Sequence, residues 1–241
     1  MIIANIILRD IEKTENSFTV ENVIILKSLD EIEDNGKEDT NYLVATDQYV
    51  KALARKKENI YLPYSLLMEK YRNEQIFVYF ELEALSFFQS FAQIVKNDAN
   101  PKGVFRFRRT INRENLQPLI AGDLYVFSSL FGVPKDIHIK KTDSSKAPRH
   151  IIIMINFGGG TMAHIEYTVG DQEKIEVEWS GIKNIIEFDS DQMKPVIPND
   201  KTLLPLTYSV DAILSSAKVI DDKMIMQIDD FQKLLDGGAQ K

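Results

Sequence analysis

The chain of 241 residues contains no cysteine. Disulfides, thiolate nucleophiles and cysteine-bound metals are therefore excluded. No apolar run approaches the roughly 18 residues that predict a membrane span. The N-terminus also lacks the basic-then-apolar order of a signal peptide. We therefore expect a cytoplasmic protein that does not bind membranes.

Basic residues are fewer than acidic ones, 29 against 36, and the formal net charge is −7. This balance argues against nucleic-acid binding, because a phosphate backbone is recognised by a basic surface. Glycine is scarce as well, since Gly36 is the only glycine before Gly103. A dinucleotide's pyrophosphate is held by the backbone amides of a glycine-rich turn at a helix N-terminus. The first 60 residues offer no such turn.

Up to about residue 100, short apolar segments alternate with helical patterns. The amphipathic helix is clearest at 85–96, where Leu85, Phe88, Phe91 and Val95 share one face. Such alternation predicts a parallel sheet with helical crossovers. Strands are predicted at 2–8, 23–26, 42–45, 60–62 and 76–80.

After Gly103 the pattern changes to long strands that follow one another. The predicted segments are the alternating stretch after Gly103, then 136–141, 150–157, 161–169, 174–180 and 184–189. Glycines at 158–160 and 170 mark turns between them. Short helices are predicted at 123–131 and 207–220. The expected fold class is α/β plus a large, mostly antiparallel sheet, in two domains, 1–100 and 101–241.

The order of elements in the second half resembles the C-terminal sheet domain of the Gfo/Idh/MocA oxidoreductase family. The resemblance covers roughly residues 100–225. It lies in the turn Leu130 to Lys135, the hairpin with glycines at its tip, and the strand pair from Trp179 to Asp189, where Asn184 replaces a glycine. The first half then resembles that family's Rossmann domain in shortened form. Ile2 to Asp10 is similar to its second strand, as if the first βα unit with the GxGxxG turn were missing.

The resemblance implies a lysine in an E-K-P motif and a histidine on a helix, both for proton transfer. Two registers are possible for the motif. Glu69-Lys70-Tyr71 keeps the lysine, whereas Phe80-Glu81-Leu82 lies better, directly before the amphipathic helix, and has none. We prefer the second register. Gly122 and its neighbours before Asp123 include no histidine, so acid–base chemistry of the family type is not supported.

The sharpest local feature is the basic segment from Lys102 to Arg109, followed by Arg113. Arg106, Arg108 and Arg109 are candidate ligands for an anion, because guanidinium groups suit phosphate and carboxylate. The alternative, which we prefer, is a solvated edge strand. Glu81 is a further candidate ligand contact, and a surface role is its alternative.

Catalytic residues are unknown, with Lys70 and Asp123 as candidates. Helix capping is the safer interpretation of Asp123. His138 and His164 fall in strands, and no metal site is predicted.

Two functional hypotheses follow. The first is a catalytically degenerate Gfo/Idh/MocA-like protein without a cofactor, which binds a small anionic or sugar-like ligand or a protein partner. The family's C-terminal sheet often builds the oligomer, so we also expect a homodimer or higher homo-oligomer. The second is an active oxidoreductase that uses NAD or NADP through an atypical site. In that case Asp10 would meet the ribose and Lys70 would transfer the proton. Whether the chain is an enzyme stays open at this point.

Overall fold

The structure is a computed structural model. It describes residues 3–7, 23–25, 40–44, 59–67, 76–112, 115–142, 148–191, 206 and 208–237. The chain divides into two compact units. The first comprises residues 1–86 and 207–227, and the second comprises 87–206 and 228–241. The sequence-based domain boundary between residues 100 and 101 stays a prediction.

Twelve strands and four α-helices make up the described part of the chain. The strands are β1 Ile3–Ile7, β2 Val23–Ile25, β3 Thr40–Val44, β4 Asn59–Pro63, β5 Ile76–Tyr79, β6 Gly103–Ile111, β7 Asp136–Lys141, β8 His150–Gly158, β9 Thr161–Val169, β10 Lys174–Gly181, β11 Ile185–Asp189 and β12 Lys218–Val219. The helices are α1 Ser86–Lys96, α2 Gln117–Phe131, α3 Val210–Ser216 and α4 Asp222–Leu235. A 3-10 turn spans Tyr64–Leu66. None of these helices is long and apolar enough to cross a membrane.

The first unit contains a six-stranded sheet in the order β2-β1-β3-β4-β5-β12. Its first five strands are parallel, and β12 pairs antiparallel with β5. A parallel sheet of this kind is what the alternating apolar segments predict. The Rossmann-like α/β fold class is therefore confirmed.

The position of β1 is compatible with the predicted loss of the first Rossmann strand. The sequence pattern assigned this segment to the second strand of a Rossmann-like domain whose first strand is missing. In the sheet, β2 lies on one side of β1 and β3 on the other, so the strand order reverses at β1. A Rossmann-type sheet in the order 3-2-1-4-5-6 that lacks its first strand has the order 3-2-4-5-6, which matches the order found here. A complete doubly wound sheet in the order 2-1-3-4-5 has the same pattern, so the missing first strand stays a prediction.

The core of the first unit forms between the sheet and α3. Leu43, Tyr61, Tyr79 and Ala84 pack there with buried residues of α3. Tyr61 stacks on Phe77 with ring centroids 5.0 Å apart. Burial raises the pKa of the Tyr61 hydroxyl above its usual value.

The second unit contains the other six-stranded sheet, in the order β11-β10-β6-β9-β8-β7. Its pairs are antiparallel except β6 with β9, which run parallel. The predicted strands are present, but they do not form a simple meander. β6 lies between β9 and β10, so these two consecutive strands are not neighbours in the sheet. The mostly antiparallel sheet is confirmed, and the turn at Gly170 leads into a crossover.

One face of this sheet is covered by an aromatic core. Phe105 and Phe107 of β6 contact Phe127 of α2, with ring centroids 5.0 and 5.1 Å from it. Phe91 of α1 lies 5.5 Å from Phe105, and Phe131 stacks on Trp179 at 5.4 Å. The covered face of β6 therefore carries its odd-numbered residues, and the even-numbered ones lie on the open face.

Two helical predictions need correction. α2 begins at Gln117, with proline in its first turn, and not at Asp123. The closing helix is also shorter than predicted, since Ala217 is extended and β12 follows. A further helix, α4, was missed, although Met224, Ile228, Phe231 and Leu235 give it a helical apolar spacing and are buried.

Candidate functional site

The predicted arginines do not form one cluster. Arg106 and Arg108 lie on the open face of the sheet, whereas Arg109 points to the covered face and is 1% exposed. The edge-strand interpretation of this segment is wrong, because β6 is flanked by β9 and β10. A joint contact of all three guanidinium groups with one ligand is incompatible with their placement on opposite faces.

Both open-face arginines are paired with carboxylates on neighbouring strands. Arg106 forms an ion pair with Glu178 of β10. The Arg108 guanidinium lies 3.1 Å from Glu176 of β10 and 3.5 Å from Glu166 of β9. Opposite charges on adjacent strands stabilise a sheet modestly. These pairs neutralise the arginines, so an anion bound here would have to displace a carboxylate.

Lys174 extends this charged surface. Its Nζ lies 2.8 Å from Glu176, 3.2 Å from Asp191 and 3.6 Å from Asp189. The hydrogen bond from Lys174, followed by that from Arg108, holds the pKa of Glu176 below its usual value. A hollow of about 320 Å³ lies over β6, β10 and β11 and is lined by charges of both signs. Its acidic side chains outnumber the two arginines that line it.

A second charged cluster is buried under α2. The Arg109 guanidinium lies 3.2 Å from Asp123 Oδ2 and 2.8 Å from Glu173. The Tyr167 hydroxyl donates to the same Asp123 oxygen at 3.0 Å. Asp123 is 2% exposed and lies inside α2, so the capping interpretation is wrong. Burial, and then the Asp123 charge, raise the pKa of Tyr167 well above its usual value.

This buried cluster has a structural role rather than a catalytic one. Arg109 and Tyr167 have almost no exposed surface, and Asp123 is held by both. A buried charge is tolerated where partners satisfy it. Both residues are candidates from the sequence, but their pairing is a contact between β6 and α2 that sequence periodicity does not reveal.

Glu81 lies at the carboxyl edge of the first unit's parallel sheet. Ser65, just after β4, donates to Glu81 Oε1 at 2.7 Å. Tyr208, just before α3, donates to Glu81 Oε2 at 3.4 Å. The predicted surface alternative for Glu81 is wrong, since only 8% of this residue is exposed. Ligands of open α/β sheets bind at this edge, which makes the Glu81 neighbourhood the candidate site of the first unit.

The segment Phe80-Glu81-Leu82 decides whether this edge can transfer a proton. In the preferred register the resemblance places a proton-transfer lysine within this segment, and the segment contains none. Leu82 has no exposed surface. Glu83 pairs instead with Lys218 of β12, Nζ to Oε2 at 3.8 Å. The Lys218 ammonium also lies 5.5 Å from the ring centroid of Phe80. Sequence reasoning missed Lys218, because a two-residue strand far along the chain gives no local signal.

The remaining predicted residues divide into two groups. Asp10, Lys70 and Arg113 lie outside the described residues. His138 and His164 occupy strands as predicted, each beside a carboxylate, at 2.9 Å from Asp136 and 3.5 Å from Glu166. Within the described ranges, no three acidic or histidine side chains converge as metal ligands.

Comparison with known proteins gives structural relatives only. No family model matches the chain, and none of the curated proteins matches its sequence. A probable dehydrogenase from Thermotoga maritima has a TM-score of 0.55 at 12% identity, over 97% of this chain and 86% of that chain. A myo-inositol 2-dehydrogenase from Lactobacillus plantarum has a TM-score of 0.50 at 12% identity, over 99% and 82%. The chain therefore has the fold of Gfo/Idh/MocA-type dehydrogenases, with a Rossmann-like first unit.

Proposed function

We propose that this chain is a catalytically degenerate Gfo/Idh/MocA-like protein that binds a small anionic or sugar-like ligand. The observation that carries the proposal is the segment Phe80-Glu81-Leu82, which follows β5 and contains no lysine. Its last residue, Leu82, is fully buried. An aliphatic side chain neither accepts nor donates a proton.

Among the residues that the structure describes at this edge, none replaces the lysine in the same geometry. Glu81 accepts hydrogen bonds from Ser65 and Tyr208 on its two carboxylate oxygens. It thereby joins the ends of β4 and β5 to the segment before α3, which is a structural task. Lys218 contacts the Glu83 carboxylate and the Phe80 ring. On α2, Gly122 precedes Asp123 where the resemblance places a histidine.

The cofactor is the second part of the proposal. The segment after β1 runs through Arg9, Asp10 and Glu12 without a glycine. A dinucleotide needs closely approaching backbone amides at this turn, and carboxylates there repel its phosphates. We therefore propose that the isolated chain functions without NAD or NADP.

A second candidate function is that of an active NAD(P)-dependent oxidoreductase. It is favoured by the strand order, because β1 lies at the reversal where Rossmann-type sheets bind a dinucleotide. In this alternative Asp10 contacts the ribose and Lys70 transfers the proton.

Thermal unfolding with NADH and NADPH separates the two candidates. A ligand at a hundredfold its dissociation constant stabilises the folded state by about 2.7 kcal/mol. We expect no shift of the melting temperature at millimolar cofactor. A clear shift that Asp10→Ala abolishes and Glu12→Ala preserves would establish the alternative and refute the cofactor-free proposal.

We further propose that the chain forms a homodimer or higher homo-oligomer through the open face of the second sheet. Val104, Met154 and Met162 are exposed there, at 36%, 38% and 48%. Apolar side chains amid paired charges suit a face that meets another copy.

A further inference from the structure

The hairpin tip between β8 and β9 brings two lysines to a run of glycines. Gly158, Gly159 and Gly160 all have positive φ, at 76°, 62° and 97°. Gly158 pairs with Thr161, so Gly159 and Gly160 form a two-residue turn with a left-handed backbone at both positions. Glycine adopts this conformation without strain.

The glycines also allow lysine side chains to lie directly against the turn. The Lys135 ammonium lies 2.8 Å from the point that a Cβ on Gly158 would occupy. Lys102 Cγ and Cδ lie 3.5 Å from the corresponding point on Gly160. Any larger residue at 158 would push the Lys135 side chain away.

Backbone hydrogen bonds hold the chain at both lysines, and one of them joins the residue after Lys102 to the tip. The Lys135 amide donates to the Asn156 carbonyl at 2.8 Å, and the Lys102 carbonyl accepts from the Ile182 amide at 3.1 Å. The next residue, Gly103, donates to the Gly160 carbonyl at 3.1 Å. The backbone positions of the two lysines are therefore set by the hydrogen bonds of the sheet and its turns.

Among the described residues, the two lysines at the hairpin tip are not paired with carboxylates as the arginines on the open face are. Lys102 and Lys135 form no ion pair within the described ranges. The Asp98 carboxylate interacts electrostatically with Lys102, but it lies 2.9 Å from Lys183, whose hydrogen bond is the main cause that lowers the pKa of Asp98. Asp136 lies 2.9 Å from His138.

The turn supplies backbone donors in addition to the two cations. No hydrogen bond from the Gly159 or Gly160 amide is made to any residue that the structure describes. Successive N–H groups in a turn form a concavity that binds anions. Ammonium groups beside such a concavity strengthen it through charge-assisted hydrogen bonds.

We propose that the glycine turn 158–160, with Lys102 and Lys135, binds the phosphate group of a small phosphorylated ligand. The inference deepens the proposed function, on which it rests for the choice of an anionic ligand, and it moves that ligand away from Arg106 and Arg108. A tetrahedral oxyanion has enough acceptor oxygens for two amides and two ammonium groups at once.

Titration of the ¹⁵N-labelled full chain with inorganic phosphate, followed by amide NMR, tests the site. We expect saturable shifts of the Gly159 and Gly160 amides, with sodium chloride at equal ionic strength giving none. A hexose phosphate should reproduce the shifts, and the free hexose should not. Lys102→Gln with Lys135→Gln should weaken binding at least about tenfold.

The matched control is Lys140→Gln with Lys141→Gln. Both of these lysines are exposed and lie on β7. It should leave the phosphate affinity unchanged. Unmoved glycine amides, or equal weakening in the control, would overturn the site. Cofactor binding is measured separately. NADH binding without a phosphate response would refute the cofactor-free function as well as the site. A phosphate response without NADH binding would leave the site intact.

Discussion

Removal of the Asp123 carboxylate should destabilise the second unit strongly. Arg109 is fully buried at its side chain, and Asp123 is 2% exposed, with 3.2 Å between Arg109 Nη1 and Asp123 Oδ2. Asp123→Ala leaves the guanidinium without its fully buried partner, and the Tyr167 hydroxyl loses its acceptor. Loss of one member of a buried ion pair costs about 3–5 kcal/mol.

We expect the lower end of this range, about 3 kcal/mol, because Glu173 still contacts Arg109 at 2.8 Å. At about 2–4 °C per kcal/mol for a chain of this size, the melting temperature should fall by roughly 6–12 °C. Trp179 is the single tryptophan and lies in the second unit, so its fluorescence reports the unfolding of that unit.

The matched control is Asp123→Ala combined with Arg109→Met, which removes both charges. Replacing both members of a buried pair by apolar groups is far less costly than removing one. The double variant should therefore recover part of the loss. A fall of less than about 2 °C in the single variant, or strictly additive losses in the double variant, would refute the reasoning.

Three further outcomes are expected. The pKa of the buried Tyr167 hydroxyl is raised, so its contribution to the free energy of unfolding is present below pH 10 and is lost as pH rises through the folded-state pKa. Tyr167→Phe should therefore reduce the loss of stability at alkaline pH. The pKa of Glu176 is lowered by Lys174, so its contribution is present above pH 4.5 and lost as pH falls; Glu176→Gln should reduce the slope of acid unfolding, and an unchanged slope would contradict this. Met162→Glu on the open face should convert oligomer to monomer in size-exclusion light scattering, whereas Met226→Glu on α4, equally apolar and 67% exposed, should not.

Much of the fold follows from local patterns in the sequence. The apolar segments predict β1 to β5, and the long alternating strands predict β6 to β11, with β7 and β9 bounded as the structure has them. The order of strands is a tertiary property. Neither the reversal at β1 nor the insertion of β6 between β9 and β10 leaves a trace in periodicity.

The candidate sites were predictable in residue type and less so in geometry. Alternation along β6 already separates Arg109 from Arg106 and Arg108, since neighbouring residues face opposite sides of a sheet. The partners of these arginines come from β9, β10 and α2, and long-range pairing fixes them. The glycine tip was recognised as a turn, but only the fold brings Lys102 and Lys135 to it.

Calorimetric titration of NADH into the purified chain tests the central claim most directly. The account predicts no heat of binding beyond dilution, because the segment after β1 lacks the glycine-rich turn whose backbone amides hold a pyrophosphate. Saturable binding of one NADH per chain, lost in Asp10→Ala, would contradict it.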